Sequence, residues 1–533
     1  MTISQTRSDA VVVGAGFGGL IMAMRLRELG LSVVGLERGG DFGGTWYWNR
    51  YPGCRCDVES MEYSYQFSKE LEQDWQWPER YSAQPEILAY AHHVADRFDV
   101  RRLFHFNQEV ISSVFDSATS TWTVGTREGQ SWTCNYLIMA TGCLSAANTP
   151  AFEGLRDFAG KTYHTGAWPH EGVDFNGQRV AVIGTGSSAI QSIPIIARQA
   201  KSLHVFQRTA NYSIPARNAP LPEEKSAAIK ANYAELRERN WNQPAAFGAY
   251  YERNTDSVLT ATPEERKARF ERYWGMGGFM FLGAFSDLVM NVEANGYAAE
   301  FVREKIRETV KDPATAELLC PKGIIACKRL CADTGYFETY NLPHVKLVDI
   351  SQKPVERLTR TGIEANGNHY EFDAIVFATG FDAMTGSLLR MGVVGEGGLT
   401  LKEKWSAGPR TWLGVTTAGF PNLWMMTGPG SPSVLANMIT GVEHHADFIS
   451  RQIQWLRTQG HTRVEADVAF EDQWVETVNQ RASLTLYPHC NSWYLGANVP
   501  GKPRVFMPYL GWPDYVQRLK QIEAEDYVGF KVA

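Results

Sequence analysis

Along AVVVGAGFGGLIMAMRLRELGLSVVGLER (10–38) an unbroken apolar run closes on glycines, resumes with apolar residues three or four apart, and ends in a second apolar run. That pattern predicts a buried strand, a tight turn, an amphipathic helix and a second strand. RVAVIGTGSSAIQSIPIIARQAKSLHVFQRT (179–209) repeats it. Two further apolar runs, YLIMATG (136–142) and FDAIVFATG (372–380), end in the same Ala-Thr-Gly and predict strands where the chain crosses between the two units. Residues 216–325 differ: they are charged, helically periodic and free of glycine turns. Within them Thr262-Pro263-Glu264-Glu265 supplies an N-cap, a proline at the first helical position and a capping-box glutamate.

The glycine spacing carries chemistry. Gly14, Gly16 and Gly19 form G-x-G-x-x-G at a strand–helix turn, with Phe17 among them. The first glycine permits the tight turn, the second lets backbone approach a pyrophosphate, and the third lets helix pack on strand. An anion then rests on free N–H groups at the helix N-terminus. Glu37 ends the second strand, where a carboxylate binds ribose hydroxyls. In the second copy Gly184 and Gly186 are followed by Ala189 in the third place, with Thr185, Ser187, Ser188 and Gln191 around the turn. Gln207 stands where the ribose carboxylate would be, and Arg208 and Thr209 come next. An acid there would repel a 2′-phosphate, whereas a guanidinium and a hydroxyl bind one. The first unit therefore reads as an FAD site and the second as an NADP(H) site. The expected fold is α/β: two Rossmann-like dinucleotide-binding domains with a helical insertion. The FAD domain is placed at 1–145 and 376–533, the NADP domain at 146–215 and 326–375, and the insertion at 216–325.

Composition narrows the setting. A chain of 533 residues needs more than one core. Its net charge of −6, with both signs dispersed, offers no electrostatic case for nucleic acid or membrane. No apolar stretch reaches the ~18 residues of a membrane span, and the polar start MTISQTRSD is unlike a signal peptide, so the expected location is cytoplasmic. None of the eight cysteines forms C-x-x-C, which argues against zinc; the expectation is reduced, mostly buried thiols and no metal.

Just before the second glycine turn lies FAGKTYHTGAWP (158–169). Gly160 and Gly166 interrupt it too often for a helix. Phe158, Gly160, His164, Trp168 and Pro169 match every fixed position of F-x-G-x-x-x-H-x-x-x-W-P/D. In this the chain resembles the Baeyer–Villiger monooxygenases, flavoproteins that insert one atom of O2 beside a ketone carbonyl, over nearly its full length. GGTWYWNRYPGCRCDVES (43–60) is similar to the family's flavin-embracing loop, which implies that Thr45, Trp46, Tyr47, Trp48 and Asp57, with Tyr63 soon after, surround FAD. CKRLCADTGYFETYN (327–341) resembles the family segment with adjacent lysine and arginine. GPGSPSVLANM (428–438) and NSWYLGANVPGKPRVFMP (491–508) resemble two more, which implies Met438 at the flavin and Trp493 at NADP. Cys54 replaces the usual alanine, and Cys327 precedes Lys328 where small residues are usual. SAANTP, IQSIPIIA, ANYSIPA and GFDAMTGSL place the chain nearest the phenylacetone and steroid enzymes.

The resemblance implies a mechanism. NADPH reduces FAD, the reduced flavin captures O2 as a C4a-peroxide, and the peroxide anion attacks the ketone to give an ester or lactone. An anion in a partly dry cavity needs a fixed cation, and Arg329 is the candidate, oriented by Asp57. Lys328 would join Arg208 and Thr209 at the 2′-phosphate. His164 would link domains rather than move protons. The expected partners are a ketone, bulky, aryl or steroid-like, and O2, for a monomer. A flavin monooxygenase oxidising sulfur or nitrogen would share both nucleotide sites but lack the Trp-Pro ending and the Lys-Arg pair. A disulfide reductase would need a C-x4-C pair, and Cys54-x-Cys56 is too close. A non-catalytic flavin-binding protein is the remaining alternative.

Overall fold

The computed structural model describes residues 5–251 and 253–533. Two sheets organise them. In the eight-stranded sheet, Gln5–Val13 pairs in parallel with Val33–Leu36 on one side and Ser131–Met139 on the other. Val110–Asp116 and Thr121–Thr126 extend it as antiparallel neighbours, and Leu423–Met425 returns late in the chain to pair with Ser131–Met139. The five-stranded sheet is wholly parallel, in the order Val345–Asp349, Ser202–Gln207, Arg179–Ile183, Ala374–Phe377, Lys161–His164. The strand Ala374–Phe377, which a boundary at residue 376 would divide, lies entirely in this smaller sheet.

The two sheets repeat one local solution. Each glycine-turn strand has an Ala-Thr-Gly strand as a neighbour, and the turn passes tightly over that neighbour's end. A Cβ on Gly14 would sit 2.5 Å from the Ala140 carbonyl oxygen, and one on Gly184 2.4 Å from that of Ala378. With φ of +107° and +116°, both positions require glycine.

The first crossover helix, Phe17–Glu28, differs from the amphipathic expectation. Phe17 through Met24 and Leu26 are all buried. The helix is covered on its far side by the 22-residue helix Met438–Gln459, to which Arg25 is tied through Asp447 at 2.7 Å. A helix sandwiched between layers has no water-facing side to keep polar. The fingerprint stretch also holds more structure than a connection: Lys161–His164 is the edge strand of the smaller sheet, and Phe158 is in its core.

Residues 216–325 carry the helices Glu223–Ala231, Tyr233–Trp241, Pro263–Met276, Val292–Thr309 and Pro313–Leu319. Thr262 and Glu265 form the expected capping box. A two-stranded parallel ladder, Ser213–Pro215 with Cys331–Asp333, brings the entry and exit of this segment side by side. Lys328 and Arg329 stand immediately before the exit strand.

Candidate functional site

The helix Phe17–Glu28 starts at Gly16 with no side-chain cap, and so does Ser187–Gln199 at Gly186. Uncapped N-termini present backbone N–H groups that need acceptors. Above the first, Gly43 donates to the Ala15 carbonyl at 3.0 Å, which folds the 43–48 segment over the turn. A Cβ on Gly19 would fall 1.8 Å from the Gly14 oxygen, so the turn closes only around glycine. Glu37 is buried, and its carboxylate accepts from Ala15 N–H at 2.8 Å and Gly39 N–H at 2.6 Å. Each oxygen retains a lone pair for a further donor.

The aromatic residues of 43–63 share this region. Trp46 is buried, and its Nε1 donates to Tyr63 Oη at 3.2 Å; the Tyr63 ring stands edge-on to Phe17. Tyr47 Oη accepts from Gly40 N–H, while Trp48 lies under the Arg38 guanidinium, 4.3 Å away. Thr45 is exposed. Met438 opens the long helix one residue after Asn437, whose side chain donates to the Glu62 carbonyl. The Tyr47 ring also meets His170 at 4.6 Å, so the 43–48 segment touches the residue that follows the fingerprint.

His164 joins the two halves. Its Nδ1 accepts from Gly166 N–H at 2.9 Å, which leaves the proton on Nε2. Nε2 faces the Asn148 carbonyl at 3.3 Å and Thr379 Oγ1 at 3.2 Å. Thr379 in turn donates to Asn148 at 2.7 Å. Burial lowers the His164 pKa, so the ring is a neutral staple between the crossing segment at 148 and the second Ala-Thr-Gly. Trp168 is buried against Tyr163 and Phe175.

At the second turn, Thr185 Oγ1 donates to the Thr209 carbonyl at 2.8 Å and holds the end of the strand over the glycines. Arg208 and Thr209 are exposed there. Burial, and then the Arg208 charge, lower the pKa of Lys328, so the two cations are near each other. Among the described residues neither is ion-paired with a carboxylate. Two adjacent uncompensated cations mark an anion site. Gln207 is buried and turned away, donating to Leu318 at 2.7 Å. Ser187 Oγ lies 3.2 Å from Cys331 Sγ, and Ser188 Oγ 3.0 Å from Thr165 Oγ1. Gln191 has both polar ends engaged by the 51–55 segment, through Tyr51 and Arg55.

Arg329 lies two residues before Cys331, whose Sγ meets Ser187 at the second turn. The Arg329 Nε and Nη2 donate to the two Asp57 oxygens at 2.7 and 2.8 Å, and Nη1 donates to the Val434 carbonyl at 2.7 Å. The Phe279 ring lies 4.9 Å from the guanidinium carbon, and the Tyr494 phenol is near enough to feel the same charge. Burial works against the charge, but Asp57 outweighs it and holds the Arg329 pKa above its usual value. The result is a permanent cation, held in two directions, beneath aromatic walls. Trp493, half-buried beside Tyr494, lies on a segment whose Asn498 and Lys502 bond Phe381 and Asp382, just beyond the second Ala-Thr-Gly.

Sequence reasoning missed the walls. Phe279 sits in GFMFLG (278–283), an aromatic, glycine-flanked run inside an otherwise charged region, and that contrast was the available signal. It also missed a covalent link. The expectation of reduced thiols throughout does not hold, because Cys327 and Cys490, 163 residues apart, are disulfide-bonded with a Cα–Cα distance of 5.6 Å. The other six cysteines are free and buried.

The model of the pyridine nucleotide-disulphide oxidoreductase family matches residues 11–241, which include both glycine turns. A Baeyer–Villiger monooxygenase of Pseudooceanicola batsensis is 42% identical over 97% of this chain and 95% of its own. The chain belongs to the Baeyer–Villiger monooxygenases. An oxidized steroid monooxygenase bound to NADP superposes with a TM-score of 0.94 at 50% identity, covering 99% of each chain. The closed structure of a cyclohexanone monooxygenase superposes at 0.97 with 41% identity, covering 99% of this chain and 100% of its own. As a Baeyer–Villiger monooxygenase this protein is an FAD- and NADPH-dependent enzyme that uses O2 to oxygenate ketones. Among the described residues no helix is long and apolar enough to cross a membrane.

Proposed function

We propose that the chain, a cytoplasmic monomer, converts bulky, aryl or steroid-like ketones to esters or lactones at Arg329. The observation that carries the reading is the Arg329–Asp57 pair beside Phe279 and Tyr494, two residues before Cys331, which meets Ser187 at the second uncapped helix terminus. Both termini, the turns that require glycine at 14 and 184, and Arg208 and Lys328, not ion-paired among the described residues, fit two dinucleotides. The flavin, when bound, supplies the capacity to take hydride from NADPH and to activate O2.

The chain's residues do the rest. Gly14, Gly16, Phe17 and Gly19 offer N–H groups and room to the FAD pyrophosphate, and Glu37 orients its ribose. Thr45, Trp46, Tyr47, Trp48, Tyr63 and Met438 wall the flavin and exclude water. Gly184 through Ala189 receive the NADP pyrophosphate, while Arg208, Thr209 and Lys328 hold its 2′-phosphate. Trp493 covers the nicotinamide end. As the ketone carbonyl is attacked, its oxygen becomes an oxyanion, and Arg329 meets that charge without reorganising, because Asp57 and the Val434 carbonyl have already aimed it.

NADPH consumption over a panel of steroid, aryl, cyclic ketone and thioether substrates, with products weighed for one added oxygen, tests this. Steroid or aryl ketones should lead, and a panel led by cyclohexanone or by the thioether overturns that substrate class. Arg329→Ala should keep FAD and still be reduced by NADPH, but lose ester formation by ~10²–10³-fold and release hydrogen peroxide. Near-normal ester yield from the flavin-loaded variant would place the chemistry elsewhere.

A further inference from the structure

The disulfide belongs to neither sheet. Cys327 directly precedes Lys328 and Arg329, and Cys490 precedes the Ser492–Leu495 turn that carries Trp493 and Tyr494. The bond therefore joins the backbone two residues before Arg329 to the turn whose Tyr494 feels the Arg329 charge. Without it, the segment beyond 490 is held near this site by Asn498 on Phe381, by Lys502 on Asp382 and Ala383, and by backbone bonds that run from Tyr494 through Met507 to Gly430.

The cysteines are not equivalent. Burial pushes the thiols of Cys54, Cys134 and Cys331 up to about 12 and raises those of Cys56, Cys143 and Cys320. Such thiols are poor nucleophiles. Cys327 alone among the eight is part-exposed, and it adjoins Lys328, which feels the Arg208 charge; among the described residues neither cation is ion-paired with a carboxylate. A part-exposed cysteine in a positive field is the reactive kind.

We infer that Cys327 and Cys490 form a reversible thiol–disulfide pair, closed by hydrogen peroxide and opened by a dithiol, which fastens the Trp493–Tyr494 wall over the Arg329 site. The Cys327 thiolate attacks one oxygen of the peroxide; the O–O bond breaks, hydroxide leaves and takes up a proton as water, and a sulfenic acid forms. The Cys490 sulfur then attacks that sulfur, the S–S bond forms, the S–O bond breaks, and the second oxygen leaves as water. The two thiols lose two electrons and two protons, and the peroxide is reduced to two waters. Peroxide is what O2 and NADPH yield when no oxygen is inserted, so an enzyme that leaks oxidises its own fastener. Once closed, the wall retains NADP+ longer and the leak falls. The regulatory part rests on the monooxygenase reading; the thiol chemistry does not.

The test compares wild-type holoenzyme reduced with dithiothreitol and the same enzyme after equimolar hydrogen peroxide. Alkylation and peptide mapping should show Cys327 joined to Cys490 only in the oxidised sample, with the other six cysteines alkylated after denaturation in both. The oxidised form should release NADP+ about threefold more slowly or better, since such differences fall on the dissociation rate, and should make less peroxide per NADPH. Cys490→Ser should behave as the reduced form whatever the treatment; should it fold poorly, the wild-type pair of samples still decides. Both thiols alkylating freely after peroxide would overturn the pair. A mapped disulfide with equal NADP+ release in both forms would overturn the fastening. A protein that joins the two cysteines yet oxygenates no ketone would keep the thiol chemistry and sink the monooxygenase reading instead.

Discussion

The two glycine turns use the same local sequence logic but sit in different surroundings. The first is enclosed. Its helix is buried nearly all round, its third glycine touches its first, and the 43–48 segment folds over it. The second is open: a Cβ on Gly186 would meet nothing within 4 Å, the third place takes Ala189, and Ser187, Arg208 and Thr209 are exposed. The turn sequence provides an anion seat in both cases, and the covering decides how easily an occupant leaves. An enclosed seat suits the proposed FAD, which stays through every cycle. An open seat suits the proposed NADP(H), which must exchange.

The largest effect should come from adding one methyl group to each turn. Gly19→Ala forces a carbon onto the Gly14 oxygen and should destabilise beyond the ~1–3 kcal/mol usual for overpacking, with loss of the yellow colour. Gly186→Ala meets open space and should change stability by no more than ~0.5 kcal/mol, keep FAD, and raise only the NADPH KM. Melting curves with flavin absorbance check both, and a colourless Gly186→Ala would erase the contrast.

Next in size is the phosphate end of the open seat. A charge-assisted contact is worth ~1.5–3 kcal/mol, so Arg208→Ala should raise the NADPH KM roughly tenfold or more and leave NADH nearly unchanged. Equal use of NADPH and NADH by the unaltered enzyme would refute the 2′-phosphate assignment.

The smallest effect belongs to the enclosed side. Burial, then Glu59, lifts Glu62 from 4.5 to about 7, and burial lifts Glu443 likewise. Burial lowers His444 and His445 from 6.5 to about 3. A raised carboxyl contributes stability that is full below 4.5 and lost as pH climbs to 7. A depressed imidazole contributes stability that is full above 6.5 and lost as pH falls towards 3. Between 4.5 and 6.5 the two pairs oppose each other and largely cancel. Glu62→Gln keeps an acceptor for Gly248 N–H but removes one proton from the balance. Its stability should therefore rise with pH across that window, by at most ~1.4 kcal/mol per unit. Urea melts at several pH values check the slope, and an unchanged profile would mean that Glu62 is ionised in the fold.

What the sequence revealed and what it hid divide along one physical line. The glycine turns, the Ala-Thr-Gly strand ends and the Thr262 capping box are short-range patterns, and spacing alone exposes them. The Arg329–Asp57 pair came only through family resemblance, since nothing local links residues so far apart. Gln207 is read from the sequence as no ribose ligand, but its turn towards Leu318 depends on a helix more than a hundred residues away. The burial of Phe17–Met24 and Leu26, Phe279 and Tyr494 around Arg329, and the Cys327–Cys490 bond are likewise products of tertiary packing.

The ladder between Ser213–Pro215 and Cys331–Asp333 has a consequence for how this architecture diversifies. It ties off the helical segment at its neck, so the ends of the intervening chain are fixed whatever that chain contains. Closing such a loop costs entropy that grows only as the logarithm of its length. Helices between the two strands can therefore be lengthened, trimmed or exchanged at little thermodynamic penalty to either nucleotide sheet. Phe279 lies inside the neck, among those helices, whereas Arg329 stands at the neck itself, anchored by Asp57 outside it. A lineage can thus rewrite the surface its substrate touches while the charge that drives the reaction stays where it is.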